Sequence, residues 1–459
     1  MSSYPWVDHA WLQSTAIALT HPIIGKIGLA ALYAVLAILA VTLSLFRNKE
    51  SIINKNSKLF KNCLNYDLGL LGNFIFLLSV YIVFTFYGVR VQVVSWILLA
   101  ILLEVILGSR KWKKYQIFLP AFFSIWANLH GSFALGILVL FFVFLIKSAK
   151  NKRIDYKFLL IVVFSFIATF INPYKAGVWK EVWSSISDTS LRWSILEWMP
   201  TFTMLNIPIT FSIVLSSVLI WKHKNIYKLE ELILYLFFLL NAIASRRHLP
   251  LWIIVALPLV IRSIQDFYIK ISKIKNAKTR FKKAYKLTWI VIIVTLIFQF
   301  SFTLRNALSI TEESFYPKEA VHYLKINKPQ GEIFSKYGWG GYLIWKYPEK
   351  KVFIDGRMPS WRWKDNPSNE TDAAFDDYRD LLVGDIDYQT IFEKYGVDTV
   401  LWCVPVAKTP LQRLSESIEN YIVRFGWEKK DFSLFENLQE DGWEKVYDDD
   451  TALIYKKPN

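Results

Sequence analysis

Long apolar runs dominate the first two-thirds of the chain. Ten runs lie at 27–46, 68–87, 92–107, 115–128, 132–147, 158–171, 206–221, 230–245, 249–262 and 288–304. A helix rises 1.5 Å per residue, so about 20 apolar residues cross the ~30 Å hydrocarbon core of a bilayer. The pattern predicts an α-helical, multi-pass membrane domain of about ten spans over residues 1–304.

After residue 304 the pattern changes to short alternating elements. Helices are predicted at 317–326, 372–382, 388–396 and 411–421, strands at 331–337, 350–356 and 398–405, and a closing hairpin at 442–457. Strands that alternate with helices are typical of layered α/β folds. Residues 305–459 are therefore predicted to form a small α/β domain.

Lysine and arginine alternate in density from loop to loop. Loops 47–66, 108–115, 147–157, 222–229 and 262–287 hold 26 of them, whereas segments 1–26, 88–91, 129–131, 172–205 and 245–248 hold 7. Short loops rich in lysine and arginine stay in the cytoplasm. The N-terminus and the C-terminal domain are therefore both predicted to face outward, across a bacterial plasma membrane.

Composition agrees with a membrane protein and excludes several other classes. The chain is 54% hydrophobic and only 20% charged, whereas soluble domains carry about 25% charged residues. The net charge of +16 divides into +22 for residues 1–304 (33 basic, 11 acidic) and −6 for residues 305–459 (21 basic, 27 acidic). The positive charge thus belongs to membrane loops, and no nucleic-acid partner is expected. The two cysteines form neither a metal-binding pair nor a disulfide framework.

The outward loops hold the candidate chemistry. Asp8 and His9 precede the first run, where they could act as general base or metal ligands, or Asp8 could simply cap a helix. Asn128 and His130 form a polar break between two apolar runs, which is costly unless they line a cavity or satisfy one another.

Three arginines lie on the side predicted to face outward, where lysine and arginine are otherwise scarce. Arg90, Arg246 and Arg247 suit an anionic partner such as a phosphate head group, because the arginine fork donates two parallel hydrogen bonds. The alternative is an ion pair with Glu197 or with the acidic domain. Glu197 beside Trp198 also resembles a sugar-contacting pair.

The C-terminal domain offers a second candidate region. Tyr337 and Trp339 alternate with glycines at a predicted strand-to-helix junction, and Asp355 and Arg357 end the next predicted strand. Site residues often lie at such strand ends. The alternative is that the glycines permit close packing and that Asp355 and Arg357 form a structural pair.

Taken in chain order, nine segments resemble a bacterial membrane-protein group within the GT-C glycosyltransferase superfamily. They are WVDHAWLQS, VRVQVVSW, WANLHGSFALG, INPY, LEWMP, RRHLP, YGWGGYLIWKYP, VFIDGR and WEKVYDDDTALIYKK. HPIIGK also resembles the His-Pro-Pro-Leu-Gly-Lys stretch of protein O-mannosyltransferases. KYGWGGYLIW resembles the Trp-Trp-Asp-Tyr-Gly region of oligosaccharyltransferases, with Gly340 in place of the aspartate.

The resemblance implies a membrane glycosyltransferase that takes a sugar from a polyprenyl phosphate and passes it to an outer-face acceptor. Arg246 and Arg247, with Arg90, would contact the lipid phosphate. Asp8 would be the acid of the first outer loop, acting alone or with a divalent cation (Mg²⁺ or Mn²⁺). Superfamily members begin with a further span, so the resemblance also implies one upstream of Met1. Two other classes stay open, namely a transporter of lipid-linked saccharides and a non-catalytic scaffold whose outer domain binds partners.

Overall fold

The computed structural model describes residues 7–46, 69–108, 110–187, 197–203, 206–271, 312–356, 374–404 and 434–458. The chain divides into two compact units, one containing the described residues up to 271 and the other those from 312 onward. The predicted boundary near residue 305, the run at 288–304 and the helix at 411–421 lie outside the described residues.

The first unit is helical. Its α-helices are α1 Trp11–Phe46, α2 Gly69–Thr85, α3 Gln92–Leu107, α4 Arg110–Lys113, α5 Leu119–Leu129, α6 Phe133–Asn151, α7 Tyr156–Ala168, α8 Gly177–Ser187, α9 Ile207–Lys222, α10 Leu229–Ala244 and α11 Leu249–Ile271. Short 3₁₀ turns lie at Lys114–Phe118, Thr201–Thr203, Lys224–Ile226 and Arg246–His248. Each of the first nine predicted apolar runs coincides with a helix.

The start of α1 differs from the prediction. The helix begins at Trp11 instead of residue 27 and includes Pro22, and it breaks at Gly25, whose backbone has φ 65° and ψ −174°. Only glycine adopts such a conformation without steric cost. HPIIGK is thus part of the helix and its break, and not a loop that precedes it. α8 was not predicted, because its segment alternates polar and aromatic residues.

Helix α11 occupies the centre of the first unit. It packs against α1, α2, α9 and α10, and nearly all its side chains between 249 and 260 are buried. A helix that is apolar on every side lies either inside the protein or in lipid, and α11 is enclosed by protein. The surrounding helices bury their inward faces on it in one continuous apolar core.

The outward faces of these helices are also apolar. Ile27 and Ile207 are each 83% exposed. In the described part, three helical segments are long and apolar enough to cross a membrane, namely Trp11–Leu45, Phe133–Asn151 and Arg246–Phe267. Four other apolar helices there have 10–17 residues, so the number of ten crossings remains a prediction.

The second unit is a small mixed α/β layer. Its elements are α12 Glu312–Phe315, α13 Lys318–Asn327, β1 Glu332–Ser335, α14 Gly340–Lys346, α15 Ala374–Val383, α16 Tyr388–Tyr395, β2 Val397–Cys403, α17 Leu434–Glu440, β3 Glu444–Asp448 and β4 Ala452–Lys456. The strand order is β1-β2-β4-β3. β1 is parallel to β2, and β4 is antiparallel to both β2 and β3.

Most predicted elements of this unit are present. The helices at 317–326, 372–382 and 388–396, the strands at 331–337 and 398–405 and the closing hairpin match observed elements within a few residues. The strand predicted at 350–356 is wrong, because the described segment pairs with β1 only through a bridge between Val352 and Ile333. Helix α17 was not predicted.

Candidate functional site

Loops predicted to face outward meet at one end of the first unit. The indole nitrogen of Trp11 donates to Asn128 Oδ1 at 2.8 Å, and Asn128 Nδ2 donates to the carbonyl of Ile171 at 2.8 Å. Three loops are joined in this way. The backbone N–H of Arg247 donates to the carbonyl of Glu197 at 3.0 Å, which adds the 245–248 loop, and the ion pair between Arg90 and Glu197 adds the 88–91 loop.

Asp8 lies in the turn that leads into helix α1. Its Oδ1 accepts a hydrogen bond from the backbone N–H of Ala10 at 2.9 Å, and its carbonyl accepts from the N–H of Trp11, the first residue of the helix, at 3.2 Å. The capping role foreseen as an alternative is therefore present. It occupies one carboxylate oxygen and leaves Oδ2 without a hydrogen bond to any described residue.

His9 lies against His130 across a glycine. The two imidazole rings meet edge to face, with centroids 5.7 Å apart. A Cβ atom at Gly131 would lie 3.3 Å from His9 Cδ2, tighter than most real contacts. Gly131 therefore allows the first loop to approach the turn between α5 and α6 and brings the two histidines together.

A fixed network holds the His130 ring. Trp126 Nε1 donates to Ser95 Oγ at 2.9 Å, and Ser95 Oγ lies 3.0 Å from His130 Nδ1. The backbone N–H of Ser132 donates to the same Nδ1 at 3.2 Å, and Ser132 Oγ lies 2.6 Å from it. His130 is only 3% exposed, so its ring is set by these contacts.

The charged residues of the same end form a second group. Arg90 Nη1 makes an ion pair with Glu197 Oε1. The guanidinium carbon of Arg247 lies 4.9 Å from the centre of the Trp198 ring, a cation–π contact. Arg247 makes no ion pair with any described residue. We refer to Asp8, His9, Arg90, His130, Glu197, Trp198 and Arg247 together as the arginine–histidine cluster.

The positive charge of Arg247 contributes to the lowered pKa of both His9 and His130. Burial lowers the pKa of His9 to about 4, with a further contribution from Arg247 and an opposing one from Asp8. Burial, then His9 and Arg247, lowers the pKa of His130 well below its usual value. Both imidazoles are therefore neutral at pH 7.

Two predicted ligand contacts have structural roles instead. Arg246 is 4% exposed and turns into the protein, where its guanidinium donates to Thr203 Oγ1. Asn128 uses its whole amide group within the protein, since Nδ2 also donates to the carbonyl of Ser124 at 2.8 Å. Of the neighbouring arginines, Arg247 is the one that belongs to the cluster.

The cluster does not fit a divalent cation. In the described ranges, no three or more His, Cys, Asp and Glu side chains are placed to hold a metal ion. Glu197 pairs with Arg90, and Asp8 caps a helix. His130 Nδ1 accepts from a backbone N–H, so the ring proton resides on Nε2, the nitrogen that a metal would need free. The Mg²⁺ or Mn²⁺ site implied by the resemblance is not supported.

The candidates of the second unit are mostly buried. Trp339 is 3% exposed, and its indole nitrogen donates to the carbonyl of Phe315 at 3.2 Å. Burial, then Asp355, raises the pKa of Tyr337 to about 12. Asp355 is 2% exposed and lies so close to Gly340 that a Cβ there would be 2.6 Å from Asp355 Cβ. This contact agrees with the alternative in which the glycines permit close packing. Arg357 lies outside the described residues.

Sequence reasoning missed the residues that orient His130. Ser95 lies inside a predicted apolar run, and a lone serine there was a usable signal because polar groups at that depth need partners. Trp126 gave no signal, since tryptophan is common in apolar helices.

Among the described residues, the cluster combines hydrogen-bond donors that have no acceptor with a carboxylate, that of Asp8, whose Oδ2 accepts no hydrogen bond. Such a site can hold an anionic group and accept a proton from a neighbouring hydroxyl. Neither a protein-family model nor a curated protein matches this chain.

Proposed function

We propose that this chain is a multi-pass membrane glycosyltransferase of the GT-C type, which moves a sugar from a polyprenyl phosphate to an acceptor at the outer face of a bacterial plasma membrane. The observation that carries the proposal is the arginine–histidine cluster. It draws on five separate loops, all on the side poor in lysine and arginine. That side is expected to face outward.

The apolar outer surface of the first unit supports a membrane location. Soluble monomers rarely expose contiguous apolar patches larger than a few hundred Å², yet the outward side chains of α1, α7 and α9 include many exposed large hydrophobic residues. We propose that all ten predicted runs cross the bilayer and that residues 305–459 lie outside the cytoplasm.

The charges of the cluster suit a lipid-linked donor. Arg247 has no carboxylate partner among the described residues, and its planar fork can donate two parallel hydrogen bonds to a phosphate. Arg90 is already paired with Glu197. The two charges of this pair cancel, so Arg247 is the main cation for the phosphate. Trp198 offers an indole face close to Arg247, suited to stacking on the apolar face of a sugar ring.

The reaction is an inverting displacement. A hydroxyl oxygen of the acceptor attacks the anomeric carbon, the bond between that carbon and the phosphate oxygen breaks, and the phosphate leaves with the electron pair. Asp8 Oδ2 takes the proton of the hydroxyl. His9, kept neutral, contacts the acceptor beside it. Arg247 offsets the charge that develops on the leaving phosphate.

Transfer of a radiolabelled sugar from native polyprenyl-phosphate donors to membrane acceptors tests the proposal, with the purified full chain in nanodiscs. Arg247→Gln and Asp8→Asn should each lower turnover at least about tenfold, since hydrogen bonds to charged groups contribute about 1.5–3 kcal/mol. Lys175→Gln removes an exposed cation of the same end and should leave the rate unchanged. Absence of donor binding and turnover, with both variants silent in cells, would refute the proposal.

A further inference from the structure

One buried hydrogen-bond donor of the cluster has no acceptor in the described part of the chain. His130 is 3% exposed, and its Nε2 has no hydrogen-bond partner among the described residues. A buried polar group left without a partner costs about 1–3 kcal/mol. A bound water, an ion or a ligand atom accounts for such a group at a candidate site.

The network around the ring determines which nitrogen carries the proton. The backbone N–H of Ser132 can only donate, and it donates to Nδ1. The hydroxyls of Ser95 and Ser132, 3.0 Å and 2.6 Å from Nδ1, can donate or accept and so adapt to this arrangement. Nδ1 is therefore the acceptor, and a neutral ring must carry its proton on Nε2.

The neighbours of the ring indicate what the Nε2–H group binds. The Arg247 guanidinium also makes no side-chain hydrogen bond with a described residue, and its charge is felt by both imidazoles. His130 Nε2–H and the Arg247 guanidinium are thus two donor groups of the cluster that have no acceptor among the described residues. An oxygen-rich anion can accept from both groups at once and also offsets the charge of Arg247, whereas a sugar hydroxyl leaves that charge without a counter-charge and a cation accepts from neither group.

We infer that His130, through its Nε2–H, is a second contact for the phosphate oxygens of the ligand that Arg247 binds. This inference rests on the proposed function and adds a specific residue with a fixed tautomer to it. Ser95, Ser132 and Trp126 are then positioning residues. They act on the phosphate only through the orientation of the imidazole.

Glutamine and asparagine at position 130 provide a matched pair of variants. Gln places its amide nitrogen near the position of His Nε2, whereas Asn places its amide near the position of Nδ1. If Nε2–H binds phosphate, His130→Gln should retain affinity within about threefold and His130→Asn should lose at least about tenfold. A purely structural role through Nδ1 gives the reverse order and overturns the inference.

The wild-type tautomer can be measured without any variant. The chain has six histidines, so ¹⁵N-histidine labelling gives a small set of imidazole signals. His130 should show a protonated Nε2 and an unprotonated Nδ1, and only the Nε2 signal should move when phosphate binds. A protonated Nδ1, or an Nε2 signal that no phosphate moves, would overturn the inference even if the variants fail to fold.

Two probes distinguish the source of the phosphate, titrated into the full chain in phosphatidylcholine nanodiscs. Dodecyl phosphate represents a lipid phosphate monoester, and inorganic phosphate represents a soluble anion. A shift of Nε2 with either supports the contact, and the probe of higher affinity identifies the source. If phosphate binds through Nε2 but no sugar transfer occurs, the proposed function fails and the contact stands. If transfer proceeds at full rate in His130→Asn, the contact fails alone.

Discussion

Replacement of Gly136 by alanine should damage the candidate site from a distance. Gly136 lies on α6, and a Cβ there would be 2.5 Å from Trp126 Cζ3 and 2.9 Å from Phe123 Cε1. Both rings belong to α5, are at most 1% exposed and stack with centroids 5.7 Å apart. Neither ring has free space, so α5 and α6 must separate.

The size of the effect follows from these contacts. The closest distance must lengthen by about 0.9 Å, from 2.5 to 3.4 Å, to become an ordinary contact. Overpacking of this kind costs about 1–3 kcal/mol, which corresponds to a fall in melting temperature of roughly 2–10 °C for a unit of this size. The displaced Trp126 would also misalign its hydrogen bond to Ser95 and so loosen the His130 ring.

Thermal unfolding of the full chain in nanodiscs, followed by tryptophan fluorescence, measures the first effect, and dodecyl phosphate binding measures the second. Gly177→Ala is the control, because the nearest atoms to its new Cβ lie 3.4 Å away. We expect Gly136→Ala to lower both the melting temperature and the phosphate affinity, and Gly177→Ala to change neither. A Gly136→Ala protein as stable as wild type would refute the close packing of α5 on α6.

Three further outcomes are expected. Because the pKa of His9 falls from 6.5 to about 4 on folding, the unfolded chain binds more protons between those values, so stability falls as pH drops through this window, by at most about 3 kcal/mol. His9→Gln should lose less melting temperature than wild type between pH 7 and pH 4.5, and equal losses would contradict this. Glu231→Gln leaves the largely buried Arg262 guanidinium without its ion pair and should cost about 3–5 kcal/mol by thermal unfolding, whereas the double variant Glu231→Leu/Arg262→Met should recover most of it. Gly340→Ala places a Cβ 2.2 Å from the backbone oxygen of Ile354 and should make the second unit more sensitive to trypsin. Gly341→Ala, with open space around its new Cβ, should make it slightly more resistant. Equal digestion of the two variants would show that Gly340 is not packed against Ile354.

The helices and the grouping of loops follow from simple periodicity. Apolar runs such as 92–107 and 206–221 have one structural solution at that length, which is a helix, so their positions were predicted well. The sequence also predicted which loops lie at the same end, since successive helices reverse direction and loops alternate between the two ends. The convergence of the Arg90 and Glu197 loops is a consequence of that alternation.

The role of each polar residue could not be predicted from local pattern. Arg246 and Arg247 are identical in type and adjacent in sequence, yet one donates to Thr203 and the other lies over Trp198. The difference is set by the direction of two successive side chains on a 3₁₀ turn, which only packing against the 197–203 segment determines. The strand predicted at 350–356 failed for a similar reason, because pairing depends on a partner strand and not on composition.

By itself, the sequence determined the helical class of the first unit, the small α/β class of the second and the set of polar residues that share one end of the helices. These properties depend on hydrophobic period and on charge, which are local and additive along the chain. Only the tertiary structure decided that His9 meets His130 across Gly131, that the Ser132 backbone N–H places the His130 proton on Nε2, and that no acid among the described residues pairs with Arg247. Hydrogen bonds require partners at about 3 Å and a fixed direction, and residues as distant in sequence as Ser95 and His130 reach such positions only when their helices pack.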